Sequence, residues 1–368
     1  MRARILLLLL GAVLLTFPLS RSQEYTVSHP TATFSVVGWD SVTHDVGVAV
    51  ASHSIAIGAI APYARAGVGA LVTQALANSD IGSRGIDFLM QGLSAQQAAL
   101  AMMQNDPDSA ARQIAVVDGK GNTFSYTGAG CQPLSGSLQG SGFAVAGDFL
   151  TSNAVLTAMA RTFDVASGSL AERLLSSLEA GEKAGGERGG LRSACLLVVR
   201  EKAGFGPFND RLVDLRVDDD SVPLAGLRRI YNLWERSYLL DAHARAAGDY
   251  THERNFAAGR EERERIASVL NRMLKEKPDD PETLNRVASM LTLYDIDRNQ
   301  ALELAKRAAK LAPGNLEYLS TLAECHYSLG HFDEAIAIGS DLVAKDPGND
   351  SFWKRLQKYR DGKQKSGN

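Results

Sequence analysis

The sequence predicts an α+β domain followed by an all-α domain, and three observations support this division. In the first part, short apolar runs bounded by turn residues alternate with pairs of capped amphipathic segments, a pattern typical of strands and helices. From about Pro223 onward, the apolar residues follow a helical period and charged residues become more frequent. The final part repeats at an interval of 34 residues, which separates Ala301 from Ala335 (335 − 301) and Pro313 from Pro347 (347 − 313).

The first domain begins with a predicted β-hairpin made of Phe34–Trp39 and Val46–Ala51, with a polar turn between the two runs. Valine and aromatic residues favour strands, and the nearly continuous apolar run of the second strand indicates burial on both faces. Thr33 occupies the position at which the first strand begins. The hairpin therefore places a hydroxyl side chain at the start of the domain.

The remaining elements of the first domain alternate between strands and helix pairs. Ser94 and Gln97 form a capping-box pattern that opens the second helix of the first pair. The predicted strands cover residues 70–77, 113–117, 123–127, 143–148, 193–199 and 211–217, and the second helix pair covers about 153–163 and 170–181. A Gly- and Ser-rich segment, 128–142, predicts a loop. This order fits two central antiparallel sheets with a helix layer on each outer side.

The composition is that of an ordinary globular protein of 368 residues, of which 45% are hydrophobic. This length allows roughly two domains. The formal net charge of −3 gives no reason to expect nucleic acid or an anionic membrane as a partner. The sequence therefore favours proteins, peptides or small molecules as ligands.

The N-terminal segment predicts export. Arg2 and Arg4 precede the apolar run Ile5–Phe17, which is too short for a comfortable membrane span, and small residues follow at a spacing suited to cleavage after Ser22. We therefore expect a signal peptide at 1–22, a linker or propeptide at 23–32, and a periplasmic or secreted mature protein without a membrane span. The alternative is an uncleaved inner-membrane anchor.

No motif indicates a metal or another cofactor, since the sequence contains no CxxC, HxH or HExxH spacing. Cys131 and Cys195 fall in the same predicted domain, where they either pair in an oxidising compartment or remain separate packing residues. Between residues 33 and 220 the only histidines are His44 and His53. A serine–histidine–acid triad in this domain would have to use one of them.

Several strings of the first domain together resemble a known family. They are TFSVVGWD, GVAVASHS, GAIAPYARAGVGALVTQA, FAVAGD, GGERGG and VDLRVDD. Over about 33–227, the chain is similar to an uncharacterised bacterial family, of the domain-of-unknown-function type, that resembles N-terminal-nucleophile (Ntn) hydrolases. This resemblance implies a four-layer αββα sandwich, assigned to residues 33–222, and hydrolysis of an amide bond, but it supplies no substrate.

Thr33 is the predicted nucleophile. A threonine at a chain terminus carries its own base, because an α-amine has a pKa of about 7.7–8.0 and accepts the hydroxyl proton during attack. This chemistry requires cleavage between Ala32 and Thr33, either by the protein itself or by signal peptidase. Ser35 is a weaker candidate on the same strand face. The alternative is a threonine that only begins a strand, where β-branched residues are favoured.

Four polar residues after the hairpin complete one side of the predicted site. We expect Arg65 near the nucleophile, where its positive charge would lower the pKa of the amine; the alternative is an exposed turn arginine. Thr73, Gln74 and Asn78 flank the end of the third predicted strand. They are candidates for orienting a polar substrate, or else ordinary polar residues at a strand end.

Gly147 and Asp148 end a predicted strand, where backbone N–H groups would hold an oxyanion at the junction with the next helix. The alternative for Asp148 is a helix cap. Glu187 and Arg188 lie in the glycine-rich GGERGG segment, which either contacts substrate or forms a solvated loop. Of these four residues, Gly147 and Asp148 are the ones predicted to belong to the site.

The second domain, predicted at 223–360, resembles tetratricopeptide (TPR) repeats. The strings APGNLEY and DPGNDSF occupy corresponding corners of the 34-residue repeat, and small residues such as Ala335 lie inside the helix pairs. Such repeats leave a concave surface that commonly holds peptides, although a purely structural appendage is the alternative. The basic, polar end of the chain, 361–368, predicts a disordered tail.

Together these patterns favour an exported hydrolase that uses Thr33 on a small amide or peptide substrate, with a TPR domain for a protein or peptide ligand. The alternative is a non-catalytic periplasmic binding or assembly module with the same fold. The two differ in one observable property, namely whether the mature chain begins at Thr33.

Overall fold

The computed structural model describes residues 32–206 and 209–367. The predicted signal peptide, 1–22, and nearly all of the predicted linker, 23–32, lie outside the described residues. Within the described ranges, no helix is both long and apolar enough to cross a membrane.

The described part of the first domain contains two antiparallel sheets. The strands are β1 (Thr33–Trp39), β2 (Val46–Ser52), β3 (Pro62–Arg65), β4 (Gly69–Ala75), β5 (Arg112–Asp118), β6 (Thr123–Thr127), β7 (Gly136–Gly140), β8 (Phe143–Asp148), β9 (Ser193–Val199) and β10 (Arg211–Val217). The larger sheet has the order β10-β9-β2-β1-β8-β7, and the smaller one has the order β3-β4-β5-β6. The predicted hairpin is therefore the centre of the larger sheet.

Helices cover the outer faces of the sheets and form the whole second domain. They are α1 (Ser79–Met90), α2 (Ala95–Met103), α3 (Ala154–Val165), α4 (Leu170–Lys183), α5 (Pro223–Trp234), α6 (Leu240–His252), α7 (Phe256–Glu276), α8 (Pro281–Leu293), α9 (Arg298–Leu311), α10 (Leu316–Ser328), α11 (Phe332–Lys345) and α12 (Asp350–Ser366). A π-helical turn, Glu235–Leu239, joins α5 to α6. The predicted capping box at Ser94 is present at the start of α2.

The two sheets stack face to face between two helix layers. Phe34 of β1 packs in the apolar cluster that contains Met159 of α3 and the inner face of α4. Val37 of the same strand belongs to the cluster between the sheets, together with Val72 of β4, because successive strand residues point to opposite faces. The outer face of the smaller sheet packs against α1 and α2. The predicted αββα sandwich is confirmed.

Two strands were not predicted. The edge strand β3 has only four residues and begins at Pro62, a position that proline tolerates because no ladder hydrogen bond is needed there. The other edge strand, β7, lies in the Gly- and Ser-rich segment that predicted a loop, and Leu138 is its single large apolar residue. Neither strand shows the alternation of apolar and polar residues by which strands are recognised.

Buried charges join the first domain to the helical domain. Arg200, directly after β9, donates to Asp45 over an Nε–Oδ1 distance of 2.5 Å, and its Nη1 lies 3.1 Å from Oε1 of Glu262 on α7. His243 of α6 hydrogen-bonds the other carboxyl oxygen of Glu262. All four side chains are buried. The helical domain is thus docked through a specific ionic contact.

The last helix, α12, continues to Ser366, so the prediction of a disordered tail is wrong for residues 361–366. Tyr359 is buried and its hydroxyl donates to Glu324 at 3.0 Å. A Cβ atom added to Gly362 would lie only 2.6 Å from the ring of Tyr327. The basic end is helical because it packs against the preceding helices, which its polar composition does not indicate.

Candidate active site

Thr33 is the first residue of β1, which lies in the middle of the larger sheet. It pairs with Ser52 of β2 on one side and with Asp148 of β8 on the other. Residues paired in this way point to the same face, which here is the face toward the smaller sheet. Thr33, Ser52 and Asp148 are each 0% exposed. The predicted nucleophile is therefore enclosed between the two sheets.

A chain of hydroxyl groups connects Thr33 to the preceding peptide bond. The hydroxyl oxygens of Thr33 and Ser52 are 2.9 Å apart, and Ser52 Oγ donates to the carbonyl oxygen of Ala32 at 2.8 Å. Because the Ser52 proton is committed to that carbonyl, the Thr33 hydroxyl is the donor in the first contact. The backbone N–H of His53 also donates to the Ala32 oxygen, at 3.2 Å. This carbonyl therefore has two donors, as an oxyanion hole provides.

An amide network links the two sheets beside Thr33. Ser35 Oγ donates to Oε1 of Gln74 at 2.5 Å, and Gln74 Nε2 donates to Oε1 of Gln113 at 2.6 Å and to the Thr33 carbonyl at 3.4 Å. Gln113 Nε2 in turn donates to the Gly147 carbonyl at 3.0 Å. The structure thus brings Gln74 to the site, and it commits the hydroxyl of Ser35 to the network.

Asp148 is the last residue of β8 and not the cap of α3, which begins at Ala154. Its Oδ1 accepts from the Gln132 N–H at 3.0 Å and from the Ser135 hydroxyl at 2.5 Å. Within the described residues, its Oδ2 is buried without a hydrogen-bond partner. Burial raises the pKa of this carboxyl, although the two hydrogen bonds act in the opposite direction. The predicted alternative of a helix cap is therefore wrong.

Glu187 contributes a second buried carboxyl. It is 5% exposed, and in the described part of the chain neither of its carboxyl oxygens has a hydrogen-bond partner. Burial, followed by the negative charge of Asp148, raises its pKa to about 9, while the nearby His53 N–H acts in the opposite direction. Glu187 pairs with Leu150 in an isolated bridge, and Arg188 Nε donates to the Leu150 carbonyl at 3.2 Å. Within the GGERGG segment, Gly186 and Glu187 are buried, whereas the other four residues are exposed.

Arg65 does not lie beside Thr33. It is exposed at the β3–β4 hairpin and pairs with Gly69, at the start of β4, whereas Gln74 lies near the other end of that strand. Five residues of extended chain correspond to roughly 17 Å. The expected positive charge at the site is replaced by two carboxyl groups. Their effect on the pKa of an amine at Thr33 has the opposite sign.

Thr73 and Asn78 have structural partners that account for their position at the strand end. The Asn78 N–H donates to Thr73 Oγ1 at 2.9 Å, and the Asn78 side chain caps α1 by accepting from the Asp80 N–H at 2.9 Å. Gly147 lies within β8, paired with Phe34 on one side and Gly136 on the other, rather than at a strand-to-helix junction. None of these three residues presents a side-chain group to Thr33.

Among the described residues, no group of three or more His, Cys, Asp or Glu side chains is arranged to hold a metal ion. Cys131 and Cys195 are both free thiols. Cys131 Sγ donates to the Arg112 carbonyl at 3.3 Å, and Cys195 is buried between the sheets. The two residues do not form a disulfide.

Sequence reasoning missed Ser52 and Gln113. The predicted hairpin contained the signal for Ser52: once Trp39 pairs with Val46, equal steps along the two strands bring Thr33 opposite Ser52. No comparable signal identifies Gln113, which meets Gln74 because the two strands pair in the smaller sheet.

Residues 33–227 match the family described as a family of unknown function, DUF1028. The chain belongs to the DUF1028 family. A crystal structure of a DUF1028 protein from Silicibacter pomeroyi resembles this chain with a TM-score of 0.52 and 28% sequence identity. The similarity covers 57% of this chain and 89% of that chain. The DUF1028 domain therefore has the same fold in both proteins.

Residues 297–358 match the tetratricopeptide repeat, so the predicted repeats are confirmed as TPR repeats. The second TPR domain of human RPAP3, determined by NMR in complex with an HSP70 peptide, aligns with 33% of this chain and 98% of that domain. The sequence identity is 17% and the TM-score is 0.24, which is too low to support an argument. A comparison with curated proteins finds no match.

Proposed function

We propose that the DUF1028 domain is a threonine-dependent amide hydrolase of the Ntn type, which first cuts its own chain between Ala32 and Thr33. The observation that carries the proposal is the hydroxyl chain from Thr33 through Ser52 to the Ala32 carbonyl. It joins the nucleophile to the oxygen of the bond to be cut. Two donors on that oxygen, from Ser52 and the His53 N–H, favour the charge that develops during attack.

The cut proceeds in two steps. Thr33 Oγ1 attacks the Ala32 carbonyl carbon while the hydroxyl proton moves toward Ser52, and the bond between that carbon and the Thr33 nitrogen then breaks. The Ala32 acyl group is now held on Thr33 as an ester, and water hydrolyses the ester. The products are a carboxyl group at Ala32 and an amine at Thr33.

The new amine supplies the base for later turnovers on a small amide or peptide substrate. An α-amine with a pKa of about 7.7–8.0 takes the Thr33 hydroxyl proton as the oxygen attacks the substrate carbonyl. Asp148, paired with Thr33 across the sheet, favours the protonated amine, so hydrolysis requires a higher pH than an isolated amine would. The amide of Gln74 holds the Thr33 backbone in place.

We also propose that segment 1–22 directs export to the periplasm or the medium, and that the TPR domain binds a protein or peptide there. Support for the binding role comes from a cavity of about 1200 Å³ along α8–α12. Its wall includes Arg355, which donates to Ser320, and the ion pair of Lys358 with Glu324, so a peptide would meet polar and charged side chains there. In this proposal, a protein or peptide bound by the TPR repeats would be held close to the hydrolase domain.

The first prediction concerns the N-terminus of the purified full-length chain. Mass spectrometry and N-terminal sequencing are expected to find a product that begins at Thr33 in the wild-type protein. Thr33→Ala removes the nucleophile and is expected to leave the Ala32–Thr33 bond intact, whereas Thr33→Ser retains cleavage. Thr157→Ala, which changes an exposed threonine on α3, serves as the matched control and is expected to cleave like the wild type.

An intact Ala32–Thr33 bond in wild-type protein that hydrolyses an amide substrate would refute this mechanism. An intact bond without any hydrolysis favours the second candidate, a non-catalytic binding module. The TPR match and the cavity along α8–α12 are the observations that support that candidate.

A further inference from the structure

The buried carboxyls of Asp148 and Glu187 have no role in the hydroxyl chain that carries the proposed function. Asp148 comes from β8 and Glu187 from the loop that follows α4, so the fold brings them together from separate elements. Three of their four carboxyl oxygens are buried without a hydrogen-bond partner in the described ranges. Leaving buried polar atoms unpaired is costly, so a protein retains such groups where they serve a ligand or a proton.

The position of Glu187 points to the peptide bond before Thr33. Glu187 pairs with Leu150, two residues after Asp148, and a Cβ atom added to Gly189 in the same loop would lie 3.1 Å from the ring of His53. The His53 N–H donates to the Ala32 carbonyl, and Asp148 is the cross-strand partner of Thr33. The loop that carries Glu187 therefore lies next to the strand ends that hold the Ala32–Thr33 bond.

The remaining charged neighbours do not neutralise Glu187. Arg188, in the same loop, donates to the Leu150 carbonyl and lies over the ring of Phe149, 5.7 Å from its centroid. The imidazole of His53 interacts through Nδ1 with the Gly190 carbonyl at 2.9 Å. In the described residues neither side chain forms an ion pair with Glu187. Burial and the second carboxyl both disfavour double ionisation, so we expect the pair to share a proton at neutral pH.

We propose that Glu187 is the catalytic proton donor of the self-cleavage reaction and that Asp148 keeps it protonated. This inference rests on the proposed function of Thr33. As the bond between the Ala32 carbon and the Thr33 nitrogen breaks, the Glu187 proton moves to that nitrogen, which leaves as a neutral amine. The carboxylate is then reprotonated by the proton that the attacking hydroxyl released, so the net transfer is from Thr33 oxygen to Thr33 nitrogen.

The first arm of the test measures the proton directly and needs no cleavage. Full-length Thr33→Ala protein with ¹³C-labelled glutamate side chains is titrated by NMR, and the Glu187 signal is identified by its loss in the Thr33→Ala, Glu187→Gln double variant. A midpoint near pH 9 is expected, in agreement with the pKa of about 9 that burial and Asp148 give. A midpoint near the ordinary value of about 4.3 overturns the proposal.

The second arm measures cleavage rates on the full-length chain from pH 6 to 10. Loss of a positioned proton donor typically reduces a rate by about 10²–10⁴-fold, so Glu187→Gln is expected to cleave at least about 100-fold more slowly and to lose the alkaline decline. Asp148→Asn is expected to move that decline to lower pH. Glu182→Gln, an exposed glutamate five residues earlier, is the matched control and keeps the wild-type rate.

The outcomes separate the two proposals. A titration near pH 9 with wild-type cleavage in Glu187→Gln overturns the donor role and leaves the Thr33 mechanism standing. Absence of cleavage in the wild type overturns both, whatever the titration. Far-UV circular dichroism shows whether Glu187→Gln folds. If it does not, Glu187→Asp is the second variant: it keeps a carboxylic acid and is expected to cleave faster than Glu187→Gln. Equal rates for the two variants would overturn the donor role.

Discussion

Gln113 shows how much of the site depends on one uncharged side chain. It is fully buried, accepts from Gln74 of the neighbouring strand, and lies within 3.0 Å of the Gly147 carbonyl in the other sheet. It also donates to Thr127 Oγ1 at 2.9 Å. Because its contacts with Gln74 and Gly147 are buried, water cannot readily replace Gln113 in them, and the network supports Thr33 from below.

Gln113→Ala is expected to lower the free energy of unfolding by about 1–3 kcal/mol, because it leaves buried polar groups of both sheets unpaired. Urea denaturation followed by circular dichroism measures the change. The control is Gln139→Ala on the exposed edge strand β7, where the lost contact with Ser125 is solvated and an effect within about 0.5 kcal/mol is expected. Equal effects for the two variants would contradict the proposed support role.

At the scale of elements, two glycines inside helices show that tertiary packing can outweigh the low helix propensity of this residue. Gly82 lies in α1, where an added Cβ would be 2.1 Å from the ring of Tyr63 on β3. Gly248 lies in α6, where an added Cβ would have nothing within 4 Å. The first glycine permits close approach of a helix to the edge strand, whereas the second has no such function.

Opposite signs are therefore expected for the same substitution. Gly248→Ala is expected to stabilise the protein by about 0.5–1 kcal/mol, which is the difference in helix propensity between the two residues. Gly82→Ala is expected to destabilise it by about 1–3 kcal/mol, since the methyl group overlaps the Tyr63 ring, whose hydroxyl donates to the Ile60 carbonyl at 3.0 Å. Thermal unfolding of both variants measures these changes in stability. A gain in stability for Gly82→Ala would show that the Tyr63 ring moves aside easily and would contradict the prediction.

The elements that the sequence predicted are those with strong local signals. The hairpin from Phe34, the capping box at Ser94 and the repeat at Ala335 each depend on residues close together in the chain. The candidate site was predictable only in part, because its geometry depends on contacts between distant segments. The Glu187 loop reaches the end of β8 only after the chain following α4 folds over the sheet, and Arg65 was misplaced because strand β3, which carries it away from Thr33, was not predicted.

At the scale of the whole molecule, the ionic contact between the two domains makes the stability depend on pH. Burial tends to raise the pKa of Glu262, but His243 and Arg200 outweigh it and hold the pKa at about 2. A carboxyl with a lowered pKa in the folded state contributes stability above its ordinary value of about 4.5. That contribution is lost as the pH falls from about 4.5 toward 2. The docking of the helical domain is therefore sensitive to acid.

Glu262→Gln is expected to cost about 3–5 kcal/mol near neutral pH, because it leaves Arg200 buried without its full charge partner. The variant is also expected to show a smaller dependence of stability on pH between 4.5 and 2 than the wild type, because the contribution of Glu262 is removed. Urea titrations at several pH values measure both effects. Glu261→Gln, which removes a half-exposed partner of Arg265 on the same helix, is the control and should keep the acid dependence. If Glu261→Gln reduced the acid dependence of stability as much as Glu262→Gln does, a general effect of net charge would explain the result instead.

The enclosure of Thr33 has a further consequence for the order of events. Ala32 and Thr33 are 5% and 0% exposed, so an external protease has no access to the bond between them in the folded chain. If the proposed self-cleavage takes place, it is therefore expected to be unimolecular, with a half-life that does not change when the protein is diluted a hundredfold. In each molecule the reaction would begin once folding has brought the two sheets together.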